Sequence, residues 1–219
     1  MDSVVHAEDS SLANVNLTSV TISKRASNGV VTVTTQGGSS FLLRTAYLPS
    51  KFLVEGELPE KLLLSGDDLS LFVLAGESYS AERYVCDCLA RTEYSCFQLR
   101  QKLIKKKYSK EISIKVVDYV SSRGWADDAR FAELWLKSRV KTHPEGKILL
   151  KAKLIEKGVS SEIIKQTMDS FYNSTDEDEL LDRAIKKYVR SNSNKTKEQL
   201  IASLQRKGFS PIKIKKKIL

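Results

Sequence analysis

The amino-acid sequence predicts a mainly α-helical protein, with three tandem three-helix repeats in an elongated stack behind a small α+β N-terminal region. Two observations carry this prediction. Residues 1–77 hold six of the ten glycines and several segments of alternating β-branched residues, a combination typical of strands and turns. Beyond residue 78, apolar side chains recur at spacings of three and four, and one helix-turn-helix pattern is repeated.

The N-terminal region is expected to be a three-stranded antiparallel β-meander covered by short helices. Residues 1–14 are polar and are predicted to form a flexible tail, so the folded region spans residues 15–77. Strands are predicted where apolar and polar residues alternate, at residues 15–22, 31–34 and 41–44. Two short helices are predicted at residues 49–54 and 67–74.

The remainder of the chain is expected to form nine helices in three triplets. The last two helices of each triplet share the pattern Leu-x3-Leu-x3-Gly/Lys-x-Ser, which begins at Leu99, Leu150 and Leu200. The first helices are predicted at residues 81–91, 127–140 and 176–190. Segment 78–142 then holds repeat 1 and the first helix of repeat 2, segment 143–190 the rest of repeat 2 and the first helix of repeat 3, and segment 191–219 the rest of repeat 3.

The glycine of the repeated pattern predicts how the second helix of a triplet ends. Gly158 and Gly208 suit the left-handed residue that terminates a helix, and the serine two positions later suits the N-cap of the next helix. Lys107 stands at the glycine position of the first copy. That turn must therefore hold a left-handed lysine, at a cost of about 1 kcal/mol, or take another form.

Charge divides the chain at the same place as composition. Residues 1–77 carry five Lys/Arg against nine Asp/Glu, a net charge of −4, whereas residues 78–219 carry 31 against 18, a net charge of +13. Such a charge attracts phosphates or an acidic protein surface. Because basic residues recur on or beside the second helices, we predict a basic track that binds a partner or DNA. The residues of the basic track are Arg91, Arg100, Lys102, Lys106, Arg130, Arg139, Lys147, Lys151, Lys157, Arg206 and Lys207.

The sequence contains no pattern typical of a catalytic, cofactor or metal site. It lacks a Gly-x4-Gly-Lys-Ser/Thr loop, its two histidines have no partners at useful spacing, and its three cysteines lack a fourth ligand. We therefore expect a protein that is not an enzyme and that uses no cofactor or metal. No apolar stretch approaches the roughly 20 residues of a membrane span, and the odd cysteine number suits a reducing compartment, so a cytoplasmic protein without membrane contact is expected.

Several motifs in residues 80–219 resemble those of the RecX family of bacterial regulatory proteins. They are Leu89-Ala-Arg91, Ser95-x-x-Gln98-Leu99, Gly124-Trp125-x-Asp127-Asp128-x-x-Phe131-Ala132-x-x-Trp135, Lys157-Gly158-Val159 and Arg206-Lys207-Gly208-Phe209-Ser210. Residues 15–77 also look like the region that precedes the repeats in longer members. The chain departs from the family pattern at Gln98 and Lys153, where glutamate is usual, and at Lys107, where glycine is usual.

The resemblance implies a protein that binds the RecA recombinase, lies in the helical groove of the RecA filament on single-stranded DNA, and restrains filament growth, strand exchange, ATP hydrolysis and coprotease activity. A monomer is expected, and direct contact with single- or double-stranded DNA stays open. The alternative is a sequence-tolerant DNA-binding protein that uses its helix-turn-helix repeats, with the lysine-rich last helix against DNA. Tight binding to DNA alone favours the alternative, whereas a filament partner requires RecA.

Overall fold

The structure, a computed structural model, describes residues 17–24, 28–191 and 196–218. The predicted flexible tail, residues 1–14, lies outside the described residues. The chain divides into two compact units, residues 1–81 and residues 82–219. The first unit contains an antiparallel sheet and the second is helical, so the predicted mainly α fold with a small α+β N-terminal region is confirmed.

The sheet of the first unit has four strands rather than the three predicted. The strands are β1 (Thr18–Lys24), β2 (Val30–Thr35), β3 (Ser40–Arg44) and β4 (Lys61–Leu64), in the order β3-β2-β1-β4. Pairing places Ile22 opposite Val33 and Val31 opposite Leu43, so one face is apolar and buried. Strand β4 was not predicted because its four residues are a short apolar run without alternation, and the helix expected at 49–54 is a single 3-10 turn, Ser50–Phe52.

The first α-helix, α1 (Gly66–Leu89), is continuous across a segment predicted to separate two helices. Gly76 lies inside it, and a Cβ atom there would come within 2.9 Å of Phe41 Cδ2 on β3. This glycine therefore lets the helix approach the sheet closely instead of ending the helix. The buried Ser78 hydroxyl donates a hydrogen bond to the Leu74 carbonyl within the helix, at 2.8 Å, so it too is accommodated.

The helices after α1 complete the three predicted triplets. They are α2 (Cys96–Lys105), α3 (Lys110–Ser122), α4 (Asp128–Thr142), α5 (Lys147–Glu156), α6 (Ser161–Ser174), α7 (Glu177–Ser191), α8 (Lys197–Arg206) and α9 (Pro211–Ile218). Five of the six repeated leucines are fully buried, as in Leu99, Leu150 and Leu204, and Leu200 is partly buried. One cluster of buried side chains runs from Phe131 on α4 to Ile214 on α9, so repeats 2 and 3 share a core.

The turn after each second helix has the predicted left-handed residue. The φ angle is +76° at Gly158, +81° at Gly208 and +73° at Lys107. The amide of the next residue donates to a carbonyl five positions back, as from Val159 to Leu154 at 3.2 Å. Lys107 therefore takes the left-handed form, and the turn keeps its shape in all three repeats.

Candidate partner-binding surface

Hydrogen bonds to backbone carbonyls join the second helices of successive repeats. The amides of Gly146 and Ile148, at the start of α5, donate to the carbonyls of Lys207 and Gly208, at the end of α8, over 2.8 and 3.2 Å. In the same way the Ser95 hydroxyl, at the start of α2, donates to the Lys157 carbonyl at the end of α5, at 2.6 Å. The end of one second helix thus meets the start of the second helix before it.

An acidic residue from the next repeat completes each junction. The Asp128 carboxylate accepts a hydrogen bond from the Cys96 amide at 2.8 Å, and the Glu177 carboxylate accepts one from the Lys147 amide at 3.5 Å. Cys96 and Lys147 are the first residues of α2 and α5. The acidic residues that open α4 and α7 therefore fix the spacing of the repeats.

The glycines at the junctions have no room for a side chain. A Cβ atom on Gly208 would fall well inside van der Waals distance of the Leu149 backbone, and one on Gly146 would meet the Gly208 carbonyl. A Cβ atom on Gly158 would overlap Phe97. Close contact between repeats, as well as backbone conformation, thus requires glycine at these positions.

A buried carboxylate engages one residue of the basic track. Glu145 accepts hydrogen bonds from Arg139 at 2.6 and 3.0 Å and from Lys153 at 2.7 Å. Burial alone would raise the pKa of Glu145, but the hydrogen bonds from these two cations outweigh it and hold the pKa below its usual range. Lys153, which departs from the family pattern, therefore belongs to an internal ion triad.

Two further arginines of the basic track form ion pairs within the chain. Arg130 pairs with Glu93 at 2.8 Å and also donates to the Trp125 carbonyl at 2.8 Å. Arg100 pairs with Asp118 at 2.8 Å. Like Arg139, these arginines are engaged by groups within the chain, so the remaining basic residues are the better candidates for binding a partner.

The other eight residues of the basic track have no carboxylate within ion-pair distance among the described residues. Four of them lie over aromatic rings: Lys102 over Tyr94, Lys106 over Tyr84, Lys147 over Tyr172 and Lys157 over Trp135, at 4.3 to 5.4 Å from the ring centroids. Lys151 and Arg206 are exposed, Arg91 donates to the Asp87 carbonyl, and Lys207 is half-buried. Each second helix therefore contributes cations that an external anion can reach.

The lysine-rich last helix is partly neutralised from within. Lys213 pairs with Glu177 and Asp178, both at 3.0 Å, and Lys217 pairs with Asp182 at 2.8 Å. The hydrogen bond to Asp178 raises the pKa of Lys213. The acidic start of α7 thus faces α9. Two of the four lysines of α9 are held in ion pairs within the chain.

Two open grooves concentrate the accessible cations, and most of their lining residues were not identified from the sequence. Groove 1, in the first repeat, lies between α1 and α2 and is lined by residues that include Tyr84, Lys105 and Lys106. Groove 3, in the third repeat, lies between α7 and α8 and is lined by residues that include Lys187, Arg206 and Lys207. Lys105 and Lys187, and the tyrosines beside them, lie outside the predicted basic track. Aligning the three repeats on the left-handed residue would have indicated Lys105, since Arg206 holds the equivalent position.

The described residues hold no cluster of side chains suited to a metal ion. In residues 17–24, 28–191 and 196–218, no group of three or more His, Cys, Asp or Glu side chains is arranged to hold a metal ion. None of the three cysteines forms a disulfide, and burial raises the pKa of Cys96. No helix within those residues is long and apolar enough to cross a membrane.

The fold and surface define a three-helix repeat protein with cationic grooves. A family model for the second three-helix domain of RecX matches residues 127–168, which cover α4, α5 and most of α6. The chain is 32% identical to the regulatory protein RecX of Treponema pallidum (strain Nichols) over 145 residues, which cover 62% of this chain and 87% of the relative. Over 134 residues it is also 32% identical to RecX of Haemophilus influenzae (strain PittEE), covering 59% of this chain and 86% of the relative. The chain belongs to the RecX family of regulatory proteins, as the resemblance indicated.

Solved structures share the fold. A crystal structure of a regulatory protein RecX superposes with a TM-score of 0.70 at 17% identity, covering 91% of this chain and 98% of the other. RecX from Lactobacillus salivarius gives a TM-score of 0.54 at 18% identity, covering 64% of this chain and 92% of the other. Both likenesses concern the fold alone.

Proposed function

We propose that this chain binds the RecA recombinase filament on single-stranded DNA and restrains its ATP hydrolysis, strand exchange and coprotease activity, without catalysing a reaction itself. The observation that carries the proposal is the match to 87% of the length of a RecX regulatory protein at 32% identity. The match extends beyond one triplet, so the repeat arrangement itself is shared.

The surface supports binding to an acidic partner. Lys102 on α2, Lys147 and Lys151 on α5, and Arg206 on α8 have no carboxylate within ion-pair distance among the described residues. Their field speeds association with an acidic surface and sets its orientation. A filament offers the same surface once per protomer, so cations on several repeats can engage several copies of it.

The alternative, a helix-turn-helix protein that places its last helix against DNA, has less support. A recognition helix needs free side chains at base edges and phosphates. Lys213 and Lys217 on α9 are instead held by acidic residues of α7. Any direct contact with DNA is better assigned to the second helices.

The test follows ATP hydrolysis by RecA filaments preformed on single-stranded DNA while this protein is added. We expect inhibition by the wild-type chain and its loss when Lys102, Lys147, Lys151 and Arg206 are all changed to glutamate, because attraction becomes repulsion. A single reversal should have little effect, since one exposed ion pair is worth about 0 to 1 kcal/mol.

A matched control changes four exposed lysines of the third helices to glutamate, namely Lys110, Lys165, Lys215 and Lys216. This variant has the same net charge and should still inhibit. Circular dichroism checks that both variants are folded. If the wild-type chain leaves RecA turnover unchanged, the proposed function is wrong, and if both variants inhibit fully, the electrostatic contribution is wrong.

A further inference from the structure

Groove 1 and groove 3 occupy the same position in the first and third repeats. Groove 1, of about 380 Å³, is lined by residues that include Tyr84, Tyr94, Gln98, Lys102, Lys105 and Lys106. Groove 3, of about 490 Å³, is lined by residues that include Lys187, Tyr188, Gln199, Arg206 and Lys207. Each groove lies between the first and second helices of its triplet.

Aligning the repeats on their left-handed residues shows that three lining residues of the second helices correspond, whereas the tyrosines of the two grooves stand at different positions of the repeat. Gln98 corresponds to Gln199, and in both repeats this glutamine closes a capping box at the start of the second helix. Lys105 corresponds to Arg206, and Lys106, the C-cap residue of α2, corresponds to Lys207, the C-cap residue of α8. The same chemistry is therefore placed twice by the same local structure.

The second repeat has only part of this chemistry, because its equivalent of Lys106 and Lys207 is again a cation, Lys157. Its equivalent of Gln98 is Leu149, whose backbone packs under Gly208, and its equivalent of Lys105 is Glu156, which reverses the charge. Its equivalent of Lys102 is Lys153, which is held by the buried Glu145. The middle repeat is used for contact with its neighbour, whereas the first and third keep a cationic groove.

The groove chemistry suits phosphates next to unsaturated rings. No carboxylate is among the described residues that line either groove. Burial and the neighbouring Lys187 lower the pKa of Lys207, so a bound anion would relieve an existing repulsion. Tyrosines between cations in an open groove are typical of sites that hold the backbone of a single strand and stack its bases.

We infer that groove 1 and groove 3 bind two stretches of one single-stranded polynucleotide. The phosphates lie against Lys105 and Lys106 in one groove and against Arg206 and Lys207 in the other. The tyrosines contact bases without reading their sequence. This activity goes beyond the proposed action on RecA and is tested without RecA. It differs from the helix-turn-helix alternative, because it places a single strand against the second helices and not a duplex against α9.

The test measures fluorescence anisotropy of labelled oligothymidine with the full chain across a range of salt concentrations. For single strands the slope of log affinity against log salt is about −0.7 per neutralised phosphate. Changing Lys105 and Lys106 to glutamine, or Arg206 and Lys207 to glutamine, should each make the slope shallower by about 1.4 and weaken binding on the order of 50-fold near 0.05 M salt. The matched control, Lys110→Gln with Lys165→Gln, loses the same charge and should keep both the slope and the affinity to within a fewfold.

Two further measurements sharpen the assignment. Glu156→Lys restores a cation at the third equivalent position and should strengthen binding, whereas Asp169→Lys, an equal change of charge on α6, should not. Affinity should be compared for oligonucleotides of roughly 6 to 40 nucleotides, and it should rise at the length at which one strand reaches both grooves. This rise should vanish when either pair of groove cations is changed to glutamine. The inference is overturned if oligothymidine fails to bind at low salt, if the control weakens binding as much as the groove variants, or if a duplex of equal length binds as tightly.

Discussion

The turn after the second helix has one backbone form in every repeat but different surroundings. Lys107 has a φ angle of +73° and is exposed, whereas Gly158 and Gly208, at +76° and +81°, are each closely approached on one side by a residue of the preceding repeat, Phe97 and Leu149. A lysine is therefore tolerated where only the conformation is demanding. Glycine is required where another repeat packs against the turn.

The start of the second helix shows the complementary difference. Ser95 and Thr196 each form a capping box, whereas Gly146 makes no side-chain cap. The amides that a cap would satisfy are taken at α5 by the carbonyls of Lys207 and Gly208. Contact between repeats thus replaces local capping in the middle repeat.

The largest expected effect on stability comes from Gly208, where a left-handed backbone and close contact with another repeat coincide. Gly208→Ala should destabilise the helical unit by about 3 to 5 kcal/mol, because it adds left-handed strain to an overlap with the Leu149 backbone. Denaturant unfolding followed by circular dichroism measures the change.

Two other glycines serve as controls for this substitution. Gly124 has a φ angle of +71° with open space around it, so Gly124→Ala carries the strain alone and should cost about 1 kcal/mol. Gly146 lies outside the left-handed region, so Gly146→Ala carries the overlap alone. Equal costs for Gly208→Ala and Gly124→Ala would contradict the role assigned to the contact.

Removing the carboxylate of the ion triad in the middle repeat should have the next largest effect on the free energy of unfolding. Glu145→Gln leaves Arg139 and Lys153 without their carboxylate, and we expect a loss of about 3 kcal/mol at neutral pH, at the low end for a buried pair because both cations are partly exposed. Urea unfolding of the two proteins gives the difference.

The pH dependence of this difference has a definite sign. The folded chain holds the pKa of Glu145 below its unfolded value of about 4.3, so the stabilisation is fully present above that pH and is lost as the pH falls through the folded value. The gap between wild type and Glu145→Gln should therefore close under acid conditions. A gap that stays constant from neutral to acid pH would show that the triad does not act through charge.

The smallest effect concerns the exposed turn. Lys107→Gly should stabilise the protein by at most about 1 kcal/mol, because relief of left-handed strain is offset by the greater freedom of glycine in the unfolded chain. Thermal unfolding measures the shift. Strong destabilisation would mean that the Lys107 side chain makes a contact that its exposure does not suggest.

The sequence predicted the features that depend on neighbours along the chain. Helix periodicity, the serine caps and the left-handed glycines are local, and they were found with nearly correct boundaries. Helix α1 was wrongly predicted as two helices, at residues 67–74 and 81–91, and the packing of Gly76 inside it depends on Phe41, 35 residues earlier. Strand β4 pairs with β1, which lies about as far away along the chain. Its four residues do not alternate between apolar and polar, so the sequence carries no strand signal there.

The sequence predicted that the second helices carry a basic surface, but it did not predict which cations pair within the chain or where the grooves lie. Arg130, Arg139 and Arg100 were assigned to the basic track because composition cannot distinguish a free cation from one paired across 37, 6 or 18 residues. The grooves depend on which face each helix turns toward its partner. The correspondences of Gln98 with Gln199, Lys105 with Arg206 and Lys106 with Lys207 were available in the sequence.

The contacts between second helices also order their dipoles. Each junction brings the negative end of one helix dipole to the positive end of another, so along α8, α5 and α2 the partial charges at the two internal junctions neutralise each other. Glu198 stands at the positive end of α8, and Lys105, Lys106 and Lys107 follow one another at the negative end of α2. Both outer ends of the series thus carry side chains of the compensating charge, where no neighbouring second helix supplies it.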